Sequence, residues 1–421
     1  MPEVLTCEQP LAAVIPATIE GRTCKKSWID TYLEYTANHE ATRKVHKWSA
    51  ISVIAGALER KCWVDRGSYY LFPNLYVFIV GSSGVIRKST STAMAVKFLR
   101  NVESMRIMSE RVTAASLIQQ LHASGKVFQA DGMDIRQSAT YAYSSELVVL
   151  LKENFGSIQE LLTTFYDCQP QDSTKPWIYE TKGDGQIKIH GPCLNILGAT
   201  TADWLVQCIP AEQMKGGFAS RVMFVVENEI PRPVAWPMPP ANYKLLESQL
   251  AHDLNIIHAL SGEIKLTSEA RDYFTHLYDT KLYPESHSNT DDRFNGYLAR
   301  KHDTILKISQ VFAVSENNDL LITKDHIERS LAEVEELEDL MVNAFAIGGD
   351  NELAPHMRSV KVKTKKEGVT TLSRLLAEMW QDTTETELRS VLEQLERMGH
   401  VKLQSQGNEV HVTHVRGSKD L

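Results

Sequence analysis

The chain has no CxxC pair and no cysteine–histidine cluster at zinc-ligand spacing among Cys7, Cys24, Cys62, Cys168, Cys193 and Cys208. That excludes a zinc ribbon and a disulfide scaffold, and scattered thiols fit a reduced compartment. No stretch approaches the roughly 18 consecutive apolar residues that a spanning helix needs. The opening MPEVLTCEQPLAAVIPATIEG has neither the basic flank nor the long apolar run of a signal peptide, so a cytoplasmic location is expected. Positive charge is not in excess either: 45 Lys and Arg stand against 53 Asp and Glu, a net charge of −8. This argues against a uniformly basic nucleic-acid binder and leaves room for a local basic surface. No internal repeat is visible. What remains is a chain of 421 residues, 43% hydrophobic and 23% charged, with length for roughly two to four structural units and a sizeable core.

Residues 1–26 read as a loose tail. In 27–72 apolar residues recur at helical spacing (Trp28, Ile29, Tyr32, Leu33, then Trp48, Ile51, Ile54, Leu58), and two or three helices are expected, followed by a short strand pair at Cys62–Val64 and Tyr69–Phe72. Leu75–Gly81 is a short β-branched and aromatic run ending on glycine, the signature of a buried parallel strand. Ala139–Ser144 and Cys193–Leu197 are further strands with helical stretches between them, which gives an α/β layered core over 73–235. Prolines 231, 233, 237, 239 and 240 mark a change of character. A mostly helical region follows at 236–345, then a linker at 346–368 with Gly348-Gly349 and an acid-free basic run from Arg358 to Lys366, then a small unit at 369–421.

The chemistry-bearing segment is Gly81-Ser-Ser-Gly-Val-Ile-Arg-Lys-Ser-Thr90. A phosphate loop needs a buried strand, a glycine-rich turn whose amides surround phosphates, a lysine, and a hydroxyl for Mg²⁺ at the start of a helix. Gly81, Gly84, Lys88 and Ser89 or Thr90 supply these parts in order. The spacing departs from GxxxxGK[ST] by one residue near Ile86, and Arg87 stands where glycine is usual. A polar strand-to-helix turn with no ligand is the plainer alternative.

Around this loop the chain resembles the P-loop ATPases of phages, prophages and other mobile elements, whose core is similar to the AAA+ helicases of the minichromosome-maintenance group. The resembling residues are Trp48–Leu58, Phe72–Val77, the Arg87–Thr90 loop, Pro192–Thr201 and Gly216–Val222, spread over about residues 45–345. The resemblance implies an α/β fold with an AAA+-type P-loop ATPase core, a helical lid and a C-terminal winged helix. It implies ATP and Mg²⁺ as cofactors, single-stranded DNA in a central pore as partner, and a homo-oligomeric ring, a hexamer by analogy. An arginine commonly precedes the loop lysine in that family, which accounts for Arg87.

Residue by residue, the resemblance gives Lys88 the β/γ-phosphates and Ser89 or Thr90 the Mg²⁺. In Tyr141–Glu146 it gives Glu146 the attacking water, with Ser145 in place of the family's aspartate; a carboxylate at a helix start is the structural alternative. Thr200 is the polar sensor at the end of the Cys193–Thr201 strand, with Thr201 and Asn195 as alternatives. Arg221, in Gly216-Gly-Phe-Ala-Ser-Arg, is the arginine finger reaching the nucleotide of a neighbouring subunit. Arg300, at the head of an amphipathic helix, is the second sensor or else a solvated surface arginine.

Trp177–His190 holds two strand-like runs joined by Lys-Gly-Asp-Gly, a hairpin signal. The resemblance puts a pore hairpin here, so Lys182 and Lys188 are candidate DNA-phosphate contacts; an edge hairpin with solubilising lysines is the alternative. The C-terminal segment reads helix, helix, β-ribbon, a winged helix-turn-helix. From residue 353 on, eleven Lys and Arg stand against nine Asp and Glu, a balance of +2, while the remainder carries −10. DNA and protein partners are both open for this unit.

Overall fold

The run Tyr76–Gly81 is buried at every position, as a strand covered on both faces must be. It is the second-to-last strand of a five-stranded sheet in the computed structural model of the chain, which describes residues 21–415 except 109, 131, 152–154, 182–184, 203, 206–208, 210–216, 228–232, 288–293, 347–353, 380–382, 398 and 407–408. In chain order the elements are α1 (Trp28–Tyr35), α2 (Arg43–Leu58), β1 (Cys62–Asp65), β2 (Tyr70–Leu71), β3 (Tyr76–Gly81), α3 (Lys88–Arg100), α4 (Ala114–Ala123), β4 (Gly125–Ala130), β5 (Met133–Ser144), α5 (Leu147–Leu151), α6 (Phe155–Tyr166), β6 (Pro176–Thr181), β7 (Gly185–His190), β8 (Pro192–Thr200) and β9 (Val222–Glu227).

The sheet order is β4-β5-β8-β3-β9. The β5–β8, β8–β3 and β3–β9 pairs are parallel, with Ser144 beside Gly198, Val80 beside Thr200 and Gly81 beside Glu227. The chain is therefore mixed α/β with a largely parallel sheet, and the loops after β3, β5 and β8 emerge at one edge. That carboxyl edge is where open α/β sheets bind ligands. The departure from the sequence expectation is β4, which pairs antiparallel with a β5 longer than Ala139–Ser144.

The chain divides into two compact units between Met341 and Val342. In the first, the expected lid shares its packing with the N-terminal segment. The Trp28 indole donates to Leu250 O at 2.9 Å, and the Asp253 carboxylate accepts from the Thr23 and Cys24 amides at 2.8 and 3.0 Å. Gly262–Glu263 pairs parallel with β1. The first two sets of bonds tie the Tyr243–Ala259 helix to the N-terminal segment and α1.

In the second unit the helices Ala354–Glu367, Leu372–Met379 and Glu385–Arg397 accompany a three-stranded antiparallel sheet of Val369–Thr371, Val401–Gln406 and Glu409–His414. The Leu388, Val391, Leu392 and Leu395 stripe is buried with Leu375 and Val412. The Glu385 helix starts on a capping box: the Thr384 amide donates to Glu387 Oε2 at 2.8 Å, and the Glu387 amide donates to Thr384 Oγ1 at 3.4 Å. The linker expected over 346–368 is corrected in part. Its second half is the Ala354–Glu367 helix, whose Val360 is fully buried in this core; its charge disguised one apolar face. No described helix is long and apolar enough to cross a membrane.

Candidate active site

The loop after β3 leads into α3, and Lys88 is the first residue of that helix. Arg87 precedes it in the left-handed region, at φ 54°, the kind of position where glycine costs least. Gly84, also left-handed at φ 72°, turns the exposed part of the loop. The extra residue in the spacing is absorbed by Ile86, which is 2% exposed and packs into the space a Cβ on Gly81 would need. The loop therefore tucks one apolar residue under itself and keeps Ser82–Val85 at the surface.

The Lys88 ammonium donates to Gly81 O at 2.5 Å and Ser82 O at 2.9 Å. Burial pulls its pKa below the ordinary lysine range, because the charged form gives up water for neutral carbonyls. A phosphate beside it would reverse that shift. The Arg87 guanidinium pairs with Glu40 at 2.6 Å, and Glu40 also accepts from the Val234 amide at 3.1 Å. The amide first, and then the guanidinium, hold the Glu40 carboxyl below its usual range.

Opposite the loop, β5 ends at Ser144 and its next two residues face the same space. Ser89 Oγ donates to Ser145 O at 3.2 Å, and Ser144 Oγ donates to Glu146 O at 2.7 Å. Glu146 is exposed, immediately before α5. Thr200, 7% exposed, ends β8. Gly84, Arg87, Lys88, Ser89 and Thr90 from the loop, Ser145 and Glu146 from β5, and Thr200 and Thr201 from β8 line one cavity of about 450 Å³, within the range of small-molecule sites. Asn195 is not among its lining residues: it sits mid-strand, with Oδ1 accepting from the Leu75 amide at 2.9 Å. Gly81 contributes its carbonyl from beneath.

Hydroxyls, one carboxylate and phosphate oxygens are the hard donors Mg²⁺ prefers, so the residues present fit that ion, and Ser89 is the hydroxyl turned toward β5. Among the described residues no group of three or more His, Cys, Asp or Glu could hold a metal by itself.

The two arginines lie elsewhere. Arg221 immediately precedes β9, whose register sets Val222 beside Tyr76 and Glu227 beside Gly81. At about 3.3 Å per residue that is roughly 17 Å down the strand from the loop between β3 and α3, beyond an arginine's reach within one chain. Arg221 is 5% exposed. Its Nε donates to Asp167 Oδ1 at 3.2 Å, a second nitrogen pairs with Oδ2, and the third bonds Gly217 O. A Cβ on Gly217 would stand 3.1 Å from that third nitrogen and press on the guanidinium. Arg300 also reaches Asp167, at 3.3 Å, from the Asn295–Glu316 helix.

The hairpin expected at Trp177–His190 is present as β6 and β7, paired antiparallel from Pro176–His190 to Thr181–Gly185. Lys188 is exposed on it, and its carbonyl accepts from His122 Nδ1 at 2.9 Å. Lys182 lies outside the described residues, as do residues 1–20 of the expected tail and Gly216.

Two residues of these sites went unnoticed in the sequence. Trp204 lines the large cavity beside Thr201; a tryptophan just after a strand end is a visible signal. Asp167 carried none.

No protein-family model and no curated protein matches the chain. Among solved structures the chain is similar to a full-length MCM homologue from Methanopyrus kandleri, with a TM-score of 0.41 and 13% identity over 73% of this chain and 57% of that one. The chain thus spans a little over half of that protein's length.

Proposed function

We propose that the protein is an ATPase with an AAA+-type core that does ATP-driven work on DNA, as a helicase or helicase-like replication protein of the kind phages and mobile elements carry. The observation that supports this best is the cavity at the carboxyl edge of the parallel strands, lined together by Lys88, Ser89, Thr90, Glu146 and Thr200. In this reading Gly81, Gly84 and Arg87 shape the loop and Lys88 holds the β- and γ-phosphates. Ser89, or Thr90, takes Mg²⁺, which neutralises charge on the phosphates when bound. Glu146 orients the attacking water, and Thr200 reads the γ-phosphate.

Among the described residues lining that cavity, Arg87 alone is an arginine. Arg221 and Arg300, held at the far end of β9, complete the site of an adjoining copy. That requires head-to-tail contacts that close into a ring, a hexamer by analogy. The β6–β7 hairpin, with Lys182 and Lys188, contacts DNA phosphates inside the ring, and residues 369–421 form a winged helix.

The test is ATP hydrolysis with and without single-stranded DNA, with particle mass measured with and without nucleotide. DNA-stimulated hydrolysis and a nucleotide-dependent rise in mass are expected. No hydrolysis and no nucleotide binding would refute the reading.

A second reading, a nucleotide-regulated DNA-binding protein or a helicase loader without translocation, draws support from Ser145. That residue supplies a hydroxyl where the resembling ATPases have a carboxylate for the metal. Nucleotide binding without turnover would favour it.

A further inference from the structure

Arg221 and Arg300 come from distant parts of the chain and meet on one carboxylate. Asp167 clasps Arg221 through both oxygens and takes Arg300 on Oδ1 at 3.3 Å. The turn that carries Asp167 is firmly anchored. Asn74 Nδ2 donates to Tyr166 O at 2.9 Å, and the Arg60 guanidinium donates to Cys168 O at 2.7 Å. Lys307 donates to Asn74 Oδ1 at 2.7 Å and lies 4.1 Å over the Tyr166 ring. Lys307 and Arg300 sit seven residues apart on one helix and so share a face.

The two arginines differ in what they have left to give. All three nitrogens of Arg221 are engaged, and its side chain is 6% exposed. Arg300 makes one long contact, is 35% exposed, and lines a cavity of about 200 Å³ with Asp167, Tyr69, Gln171 and Asp303. Two guanidinium groups this close repel each other unless an anion stands between them. With one carboxylate they form a unit of net charge +1.

We propose that Asp167 is a positioning residue that binds Arg221 and Arg300 into one aimed cationic pair for the phosphates of an adjoining copy. This deepens the reading above and rests on it. Asp167 touches no nucleotide. It fixes the angle of Arg221 and leaves Arg300 free to swing outward, since a single exposed pair of that length is weak. Replacing the carboxylate with a neutral group leaves a buried guanidinium facing a like charge, and both side chains move. A misplacement of about 1 Å in such a group costs on the order of 100-fold in rate.

The experiment compares Asp167→Asn with the unaltered protein for kcat, KM for ATP and thermal unfolding, and then mixes it with Glu146→Gln subunits. The expected result is a kcat lowered about 10- to 100-fold, with KM changed by less than about threefold because each copy keeps its own Lys88 loop. In the mixture activity returns: the Asp167→Asn subunits keep Glu146, and the Glu146→Gln subunits lend an intact arginine pair. A merely structural role would give no such recovery. Should Asp167→Asn fail to fold, Asp167→Glu keeps the charge but moves it by one methylene, and a kcat between those of the unaltered protein and Arg221→Ala is expected.

An unchanged kcat in Asp167→Asn or Asp167→Glu overturns the assignment. So does loss without recovery in mixtures where Arg221→Ala subunits do recover. Failure of the parent reading looks different: Arg221→Ala subunits themselves show no recovery, or the Lys88→Ala protein keeps full turnover.

Discussion

At the carboxyl end of β3 the Lys88 ammonium rests on two neutral carbonyls in a cavity of about 450 Å³ lined by hydroxyls and one carboxylate. At the amino end of β9 the Arg221 guanidinium is buried against a carboxylate, with Arg300 on the same group. The first end sets a lysine on neutral carbonyls beside an open cavity, and the second sets two arginines on one carboxylate. The strand register keeps the two roughly 17 Å apart. In the reading proposed above, the lysine at the carboxyl end of β3 and the arginines at the amino end of the neighbouring β9 serve one site only across two copies, which would make catalysis and assembly one property.

The comparison breaks first at Lys88. Lys88→Ala is expected to lose nucleotide binding and turnover to background, whereas Glu146→Gln loses turnover and still binds nucleotide. Phosphate release and equilibrium nucleotide binding read the two effects separately. Full turnover in the Lys88 variant would sink the loop assignment. Next come mixed assemblies. Equal amounts of Arg221→Ala and Glu146→Gln subunits, each inactive alone, recover up to about a quarter of normal activity if sites form between copies at random. If every mixture stays inactive, the two ends do not serve one another.

A third test strains the carboxyl end of the sheet through its packing, without replacing a residue of the cavity. Gly198 lies on β8 between Phe78 and Ser144, and a Cβ there would meet three Leu147 atoms at 2.3–2.8 Å. Gly198→Ala overpacks the core, at a cost of about 3 kcal/mol, and pushes Leu147 with its neighbour Glu146. A lowered denaturant midpoint and a kcat that falls more than nucleotide affinity are expected. An unchanged midpoint would mean that Leu147 yields freely.

Most of the strand and loop pattern at the carboxyl edge was legible because its physics is local. A strand buried on both faces has to be an apolar run, and a tight turn out of it favours small and polar residues; Leu75–Thr90 and Cys193–Thr201 show both. The irregular spacing was legible as an irregularity, but not the burial of Ile86 that absorbs it. Strand β4 was missed although Asp131-Gly132 is a turn pair of the hairpin kind. Asp167 was beyond reach: it meets Arg221 from 54 positions away, and no spacing rule selects one carboxylate among 53 acidic residues. The Ala354–Glu367 helix was hidden because its lysines outweigh Val360 in any local reading.

The smallest expected effect is a pH dependence set by two histidines at α2. His46, on α2, is 2% exposed, with Nε2 3.1 Å from His39 Nδ1 and its own Nδ1 buried without a partner among the described residues. Burial lowers its pKa to about 3. His258, which bonds Ala57 O at 2.8 Å at the other end of α2, is lowered to about 4, by burial first and then by Lys61. Both are neutral when folded and take up a proton near pH 6.5 when unfolded, so the unfolded chain binds more protons in acid. Stability is therefore intact above about pH 6.5 and falls as pH drops toward about 4 and 3, by about 2 kcal/mol per histidine between pH 7 and 5. His46→Phe fills the same space and cannot titrate. Its urea midpoint should change less over that interval than that of the unaltered chain, by His46's share. An equal change in both would mean that His46 takes up its proton over the same pH range in the folded and the unfolded chain.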